Sequence, residues 1–546
     1  MLGNKYLFLT LLLMLGLSSQ VVGQVVDPQN IVINNVNIAT DVAEDVPVSL
    51  LIRNNKLELV SKDQIPVPDG WVVLDAVGGY LMGSLVLGEP PSFIILDTDP
   101  RVDMEVLIDT KRHTLYAVYK GELRKNTFQY NNTYISPVKT PEHHAWQGYT
   151  PPPVALPTRY GDKTPWNHWK TTNTTGVFFA VLALDRNHWL SQNDDSEQQV
   201  GELEEFDGGE IRDLRLGVFG TLNYFDKPWG YTFVVATNAF NKRFEVEDKD
   251  NFKTLDYRLD IPLYESMKLS IGKQKEPISM ERTMTLVDLP MQERSSVADA
   301  FLLSRDFGVL LSGNVLDGHM SWAGGVFNDF IDTDESLDNG ATSVTGRVTW
   351  LPYVSEDESN LVHLGLSGRL SDGNQGYLYQ TEPEFNKSPL FVDSGFGDAD
   401  GINQYDLEAS WRRGPFWLAA EHVGTFVDSP TNGNLNFSGY HVTASWILTG
   451  EMRDYRNKSG TFGSVPISRS VYQNGLGAWE IGARWSSIDL NDGDVAGGEM
   501  DIFSLAASWW LSPNFNFNIN YRYIWNERDN LNGETSGVNM RVLLKL

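Results

Sequence analysis

From about residue 174 to the end of the chain, apolar and polar residues alternate in segment after segment. In "NFNFNINYRY", Phe515, Phe517, Ile519, Tyr521 and Tyr523 fall on one parity, and Asn516, Asn518, Asn520 and Arg522 on the other. Successive side chains of a strand point to opposite faces, so this segment has an apolar face and a wet face. The pattern recurs about sixteen times, at about 174–186, 209–224, 228–240, 251–262, 264–275, 305–315, 317–330, 340–352, 359–372, 402–413, 415–426, 434–450, 475–490, 498–511, 513–526 and 535–546. Short turns ("FDKPWG", "PLYES", "NVLDG", "RRGP", "LSPN") alternate with long connections at about 187–208, 276–304 and 373–401. An even number of strands, with short periplasmic turns opposite long external loops, is expected of an outer-membrane barrel. A connection at about 451–474 is long on the side of the short turns. The last segment, "GVNMRVLLKL", keeps Val538, Met540, Val542, Leu544 and Leu546 on the apolar parity, which suits a closing strand. A soluble sandwich would instead have to take all these aromatics into one core.

Composition favours the membrane. Hydrophobic residues make up 41% of the 546 and aromatics 12%, with 48 Gly and 16 Trp, as aromatic girdles and tight turns demand. With no cysteine there is neither a disulfide frame nor a thiolate metal site, and a net charge of -28 speaks against a nucleic-acid partner. The first residues, "MLGNKYLFLTLLLMLGLSSQVVGQ", read as a secretory signal over 1–23 with cleavage near Gly23–Gln24; the apolar run is short for a membrane anchor.

Parity assigns the charges. In "LRLGVFGTLNY", Leu214, Leu216, Val218 and Leu222 face lipid, so Arg215 faces the lumen. The same reading turns Arg258, Arg347, His363, Arg369, Glu480, Arg484, Arg522 and Arg541 inward, together with Asp256, Asp260, Glu408 and Glu421. Lipid excludes charge at a cost of about 2–4 kcal/mol near the midplane, so any barrel would do this. Two readings stay open: the arginines pair with the carboxylates across the wall, or they line a path for anions. Lys273 and Lys275 share parity with Leu269 and Ile271, which puts them on the lipid-side rim.

The segment 276–304 carries Leu286, Val287, Leu289, Met291 and Phe301, which a solvated loop would not need. Packed inside the barrel it would bring Arg282, Arg294, Ser295 and Ser296 to a constriction, where guanidinium forks and hydroxyls suit an oxyanion. The alternative is a loop packed at a subunit contact. The acidic runs "NDDSEQQVGELEEFDGGE" and "DTDESLD" read as solvated loops that could also hold divalent cations beside lipopolysaccharide.

"GKQKEPISMER", "QERSSVADAF", "WILTGEMRDY" and "GAWEIGARWSSIDLNDG…GGEMDIFSLAASWWLSPNFNFNINYRY" resemble the phosphate-selective porin family over about 170–546. The resemblance implies an outer-membrane channel of sixteen strands, usually a homotrimer. It also implies a loop after the fifth strand folded into the pore, and basic lumen residues that pass phosphate, polyphosphate or related anions. No cofactor is implied.

Residues 24–136 stand outside the barrel pattern. "IVINNVNIATD…GGYLMGSLV" and "PSFIILDTDPR…ELRKN" resemble the two parts of the small β domain of amidohydrolases, meeting at about Val86 to Pro91 with the catalytic barrel missing. No His-x-His pair follows "GGYLMG", and the adjacent histidines of "EHHAW" diverge, so no metal site or catalytic residue is expected. Residues 137–173, rich in Pro and Trp, read as a linker. The chain is thus expected to be all-β: a sixteen-stranded antiparallel transmembrane barrel over 174–546, preceded by a small periplasmic β domain with its own periplasmic partner. The competing reading is an exported amidohydrolase-like enzyme with a β-rich C-terminal part, or, within the porins, a non-selective pore.

Overall fold

All sixteen alternating segments form strands of one closed antiparallel barrel in the computed structural model: β1 Thr174–Gln192, β2 Gly208–Leu222, β3 Trp229–Ala236, β4 Lys253–Tyr264, β5 Met267–Gln274, β6 Asp306–Val315, β7 Met320–Asn328, β8 Thr342–Val354, β9 Asn360–Ser371, β10 Gly401–Arg413, β11 Phe416–Ser429, β12 Gly433–Ile447, β13 Ala478–Asp492, β14 Val495–Ser512, β15 Phe515–Arg528 and β16 Leu531–Lys545. The structure describes residues 30–38, 48–62, 65, 71–76, 79–87, 89–96, 114–119 and 122–126, and residues 167–546 apart from 238–252, 265, 331–339 and 474. The signal segment and the "EHHAW" stretch lie outside the described residues. Two units are separable, Met1–Thr133 and Tyr134–Leu546.

Each barrel strand pairs with its sequence neighbour, and β1 closes on β16 from Val181↔Lys545 to Gln192↔Thr535. Beyond the end of β16, a short strand His168–Lys170 takes over the same edge of β1, with Thr175↔Lys170 and Val177↔His168. The long first strand therefore leaves no open edge where β16 stops. Among the described residues no helix is long and apolar enough to cross a membrane. The crossing is made by strands, which satisfy every ladder hydrogen bond between themselves.

The barrel is inside-out. Arg347, Arg453, Arg484 and Arg522 are among its largest fully buried side chains, while Val348, Leu366, Leu505, Phe517 and Trp446 are 40–57% exposed. A water-soluble chain would reverse this; lipid on the outer wall rationalises it. The outer wall also carries aromatic rows at two heights. Trp479, Trp509 and Phe517 are cross-strand neighbours near one end, with Trp479 stacked on Trp509 at 5.1 Å. Trp485, Phe503 and Tyr523 form the matching row nearer the other end. Such girdles place amphipathic rings at the two interfaces of a bilayer.

The connections depart from the simple alternation on both sides, since 448–477 is long on the turn side. Three on the long-loop side, 430–432, 493–494 and 529–530, are as tight as those opposite. The connection 193–207 is ordered: helix α1, Asp194–Val200, is capped by Asn193, whose Oδ1 accepts from Ser196 N at 2.9 Å. Gln199 Nε2 donates to the carbonyls of Asn526, Arg528 and Leu531, tying α1 to the β15–β16 turn.

In the N-terminal unit, strands run in the order 56–61, 48–53, 31–38, 80–84, 92–96, 114–119, 122–126, with 72–75 parallel to 31–38. Ile31, Ile33, Leu50, Ile52, Leu74, Leu81, Phe93 and Ile95 form its core. Strands 80–84 and 92–96 pair as an antiparallel hairpin, Tyr80 opposite Leu96 and Ser84 opposite Ser92.

Candidate functional site

The lumen is filled by three connections: 275–305, 372–400 and 448–477. The first leaves β5 just after Gly272, whose φ of +130° and a Cβ position only 2.1 Å from Tyr257 O admit no side chain. It then forms helix α2, Met280–Thr283, and helix α3, Ser296–Phe301. Each begins on a serine cap: Ser279 Oγ accepts from Arg282 N at 3.0 Å, and Ser295 Oγ from Ala298 N at 3.2 Å. Met280, Met284, Leu286 and Leu289 pack against Leu351, Leu361, Trp417 and Ala419 of the wall and against Phe462 of the third connection. The apolar residues of 276–304 are thus spent inside the barrel, and not on a subunit contact.

Every strand arginine assigned to the lumen by parity is inside, and each meets a carboxylate. Arg215 pairs with Asp213 at 2.5 Å and Arg258 with Asp260 at 3.1 Å. Arg347 grips Glu408 with two bonds of 2.6 and 2.7 Å, and donates to the carbonyls of Ser459 and Gly460. Arg369 faces Glu276 at 3.1 Å. Arg484 lies between Glu281 (3.1 Å) and Glu384. Arg541 holds Asp185 at 2.7 Å and also reaches Glu293. Arg522 is more loosely placed, 3.8 Å from Glu384 and over the Phe385 ring at 4.6 Å. His363, Asp256, Asp260, Glu408, Glu421 and Glu480 are buried in the lumen as well.

The loop residues divide. Arg282 pairs with Asp299 at 3.4 Å and donates to Leu303 O at 2.9 Å. Ser295 donates to Glu281 at 2.7 Å, and Ser296 N donates to Glu384 at 3.2 Å, so both are bound up in the loop's own scaffold. Arg294 differs: it donates to the carbonyls of Glu281 (3.4 Å) and Met284 (2.9 Å) and makes no ion pair among the described residues. It is also only part-buried, whereas Arg282, Ser295 and Ser296 are buried. Burial and then Arg282 push its pKa down to about 9, which leaves it cationic at neutral pH. Glu293, next to it, is tethered by Arg212 at 2.7 Å. Burial would raise the Glu293 pKa, but Arg212 and Arg541 outweigh it and hold the carboxyl well below the usual range.

Lys275 is a correction. Strand parity ends at Gln274, and beyond it Lys275 turns inward, its Nζ donating to the carbonyls of Arg282 (2.7 Å), Thr283 (3.0 Å) and Met284 (2.7 Å). These use all three ammonium donors. Lys273 stays in register with Tyr257 and Phe307, but it is buried, 6% exposed.

Several lumen residues escaped the sequence. Arg212 is the extra residue of a bulge, since Ala183 pairs with Asp213 and Leu184 with Ile211. Glu384 sits in the second connection, where no periodicity marks it, yet it gathers Arg484, Ser486 and Ser296. Arg453, in the third connection, spans Asp288 O, Gly463 O and Glu480. The connection 448–477 therefore enters the lumen from the turn side and meets the first connection at Asp288, which Arg456 also reaches at 3.1 Å.

An antiparallel barrel of this size, apolar outside and charged inside with connections folded into its lumen, is an outer-membrane porin. The sequence model of one family, phosphate-selective porin O and P, matches residues 184–544, and the chain belongs to that family. An uncharacterized protein of Caulobacter vibrioides is 27% identical over 243 residues, 42% of this chain and 48% of that protein. Porin O of Pseudomonas aeruginosa is 26% identical over 187 residues, 30% of this chain and 41% of Porin O. The chain thus spans less than half the length of the curated relatives it matches. Among solved structures, the anion-selective porin from Comamonas acidovorans is similar at 13% identity and a TM-score of 0.41, over 68% of this chain and 100% of that one. The outer-membrane channel DcaP of Acinetobacter baumannii is similar at 9% identity and a TM-score of 0.42, over 69% and 99%. Likenesses this weak say nothing of solute or assembly.

Proposed function

We propose that this porin admits small anions, phosphate or polyphosphate among them, and that Arg294 is their contact in the lumen. The carrying observation is that Arg294, alone among the nine arginines assigned to the pore from sequence, makes no ion pair among the described residues. Arg282 and Arg305 nearby add to the positive field at Arg294, and Asp299 and Glu281 offset part of it. The tightly paired arginines offer an anion much less, because a carboxylate already occupies the fork, whereas Arg522, 3.8 Å from Glu384, keeps its Nε and Nη1 without a hydrogen-bond partner. This reading makes the wall arginines structural and the loop arginine selective. The acidic connection 193–207 repels anions over a Debye length of about 8–10 Å, so selectivity has to arise deeper, at Arg294.

The same reading makes residues 1–23 a signal, 24–136 a non-catalytic domain in the periplasm with a partner of its own, and 137–173 a linker. Lipid and lipopolysaccharide surround the barrel, and three copies assemble. The channel reading is preferred to an amidohydrolase-like enzyme because the family match lies on the barrel. The test is reversal potential in a salt gradient across planar bilayers. Arg294→Glu should abolish or reverse anion preference and weaken phosphate block of chloride current. An anion preference unchanged in the variant would take selectivity away from Arg294, and no preference in the wild type would make this a general, non-selective pore.

A further inference from the structure

Three carboxylates of the lumen wall lie together without enough positive charge to balance them. Asp406 and Glu408, two apart on β10, share the lumen face, and Glu421 on β11 stands directly opposite Glu408. Their oxygens come within 4.8 Å of one another, and all three residues are buried. Like charges directly opposed across an antiparallel pair repel, and burial removes the water that would screen them. Arg347 neutralises Glu408, and His363 Nε2 lies 3.1 Å from the same carboxylate. Glu421 takes hydrogen bonds from Ser279 Oγ and from the backbone N–H of Met280 (3.0 Å) and Glu281 (2.8 Å), with His441 Nε2 at 3.7 Å.

Asp406 is different. It is fully buried and faces the other two carboxylates, yet it makes no ion pair among the described residues. Ser367 Oγ donates to its Oδ2 at a long 3.4 Å, and its Oδ1 has no hydrogen-bond partner. Room for the cluster is built into the neighbouring strand. Gly365 pairs with Glu408, and a Cβ there would lie 2.4 Å from Glu408 Oε2.

We propose that Asp406, Glu408 and Glu421 bind one divalent cation in the barrel wall. With all three ionised, the single Arg347 would leave two negative charges, which a divalent ion would cancel. The donors are carboxylate oxygens, and the chain has no cysteine, so the ion is a hard one of the Mg2+, Ca2+ or Mn2+ kind, completed by water. It would lock β10 to β11 beneath α2, whose first N–H groups Glu421 already holds.

The test uses the full-length porin in detergent, stripped with a chelator and titrated with Mn2+. Bound ion is counted by electron paramagnetic resonance, with Asp406→Asn alongside. The expected result is one fewer ion per chain in the variant, and a heat-modification midpoint that Mn2+ raises in the wild type only. Equal uptake by both proteins would place the ions elsewhere, such as on the acidic loops, and overturn the site. No uptake by the wild type would overturn it too, leaving shared protons to hold the carboxylates together. Should Asp406→Asn fail to fold, anomalous scattering from wild-type crystals soaked in Mn2+ decides: an ion among the three carboxylates supports the site, and its absence there rejects it.

Discussion

At the scale of single residues, the lumen arginines divide into structural and available ones, and stability separates them. Arg347 is fully buried and donates to both oxygens of Glu408 and to two carbonyls of the third connection. Arg347→Gln would strand Glu408 as an uncompensated buried charge and should cost about 3–5 kcal/mol, read as a lower heat-modification midpoint in unboiled gels. Arg294→Gln removes only bonds to carbonyls and should leave that midpoint nearly unchanged. Equal losses would show that Arg294 is also part of the scaffold. Arg258, Arg347, Arg369, Arg484, Arg522 and Arg541 were legible because a strand cannot change a side chain's face without changing parity. Arg212 was not, because a bulge at that residue resets the parity, and Lys275 was not, because the strand has already ended. Which arginine lacks a carboxylate was illegible for another reason. Glu276, Glu293 and Glu384 reach their partners from loops, and loops carry no period.

At the scale of elements, alternation fixed the strands and left the connections open. The composition of 276–304, with Leu286, Leu289 and Phe301 in a connection, correctly pointed inward, because apolar side chains need a wall to pack on. Nothing comparable marked 448–477, whose inward path depends on Arg453, Phe462 and Asn457 meeting groups distant in sequence. The strand faces themselves can be tested with charge. Phe517 and Leu505 are exposed on the outer wall, and Asn518 is buried in the lumen beside Ser508. Leu505→Arg, between the two girdles, should cost up to about 2–4 kcal/mol and block assembly into the membrane fraction, Phe517→Arg at the girdle should cost less, and Asn518→Asp should assemble. Equal assembly of all three variants would contradict the assignment of faces.

At the scale of the whole molecule, strand count sets topology. Sixteen strands bring the two ends of the barrel to the same side, so His168–Lys170 and Leu546 meet on one edge of β1. The turn 223–228 lies on that side, and the turn 493–494 lies on the other. The proposed periplasmic place of the N-terminal unit requires that the barrel ends face the periplasm. The chain has no cysteine, so single cysteines report position without background. Asp226, Asp494 and Lys56 are all exposed, the last in the N-terminal unit. Intact cells treated with a membrane-impermeant maleimide too large for the pore should label Asp494→Cys. Asp226→Cys and Lys56→Cys should label only after the outer membrane is permeabilised. Labelling of Asp226→Cys but not Asp494→Cys on intact cells would invert the barrel. Labelling of Lys56→Cys together with Asp494→Cys would instead carry the N-terminal unit to the cell surface, and a periplasmic partner for it would be ruled out.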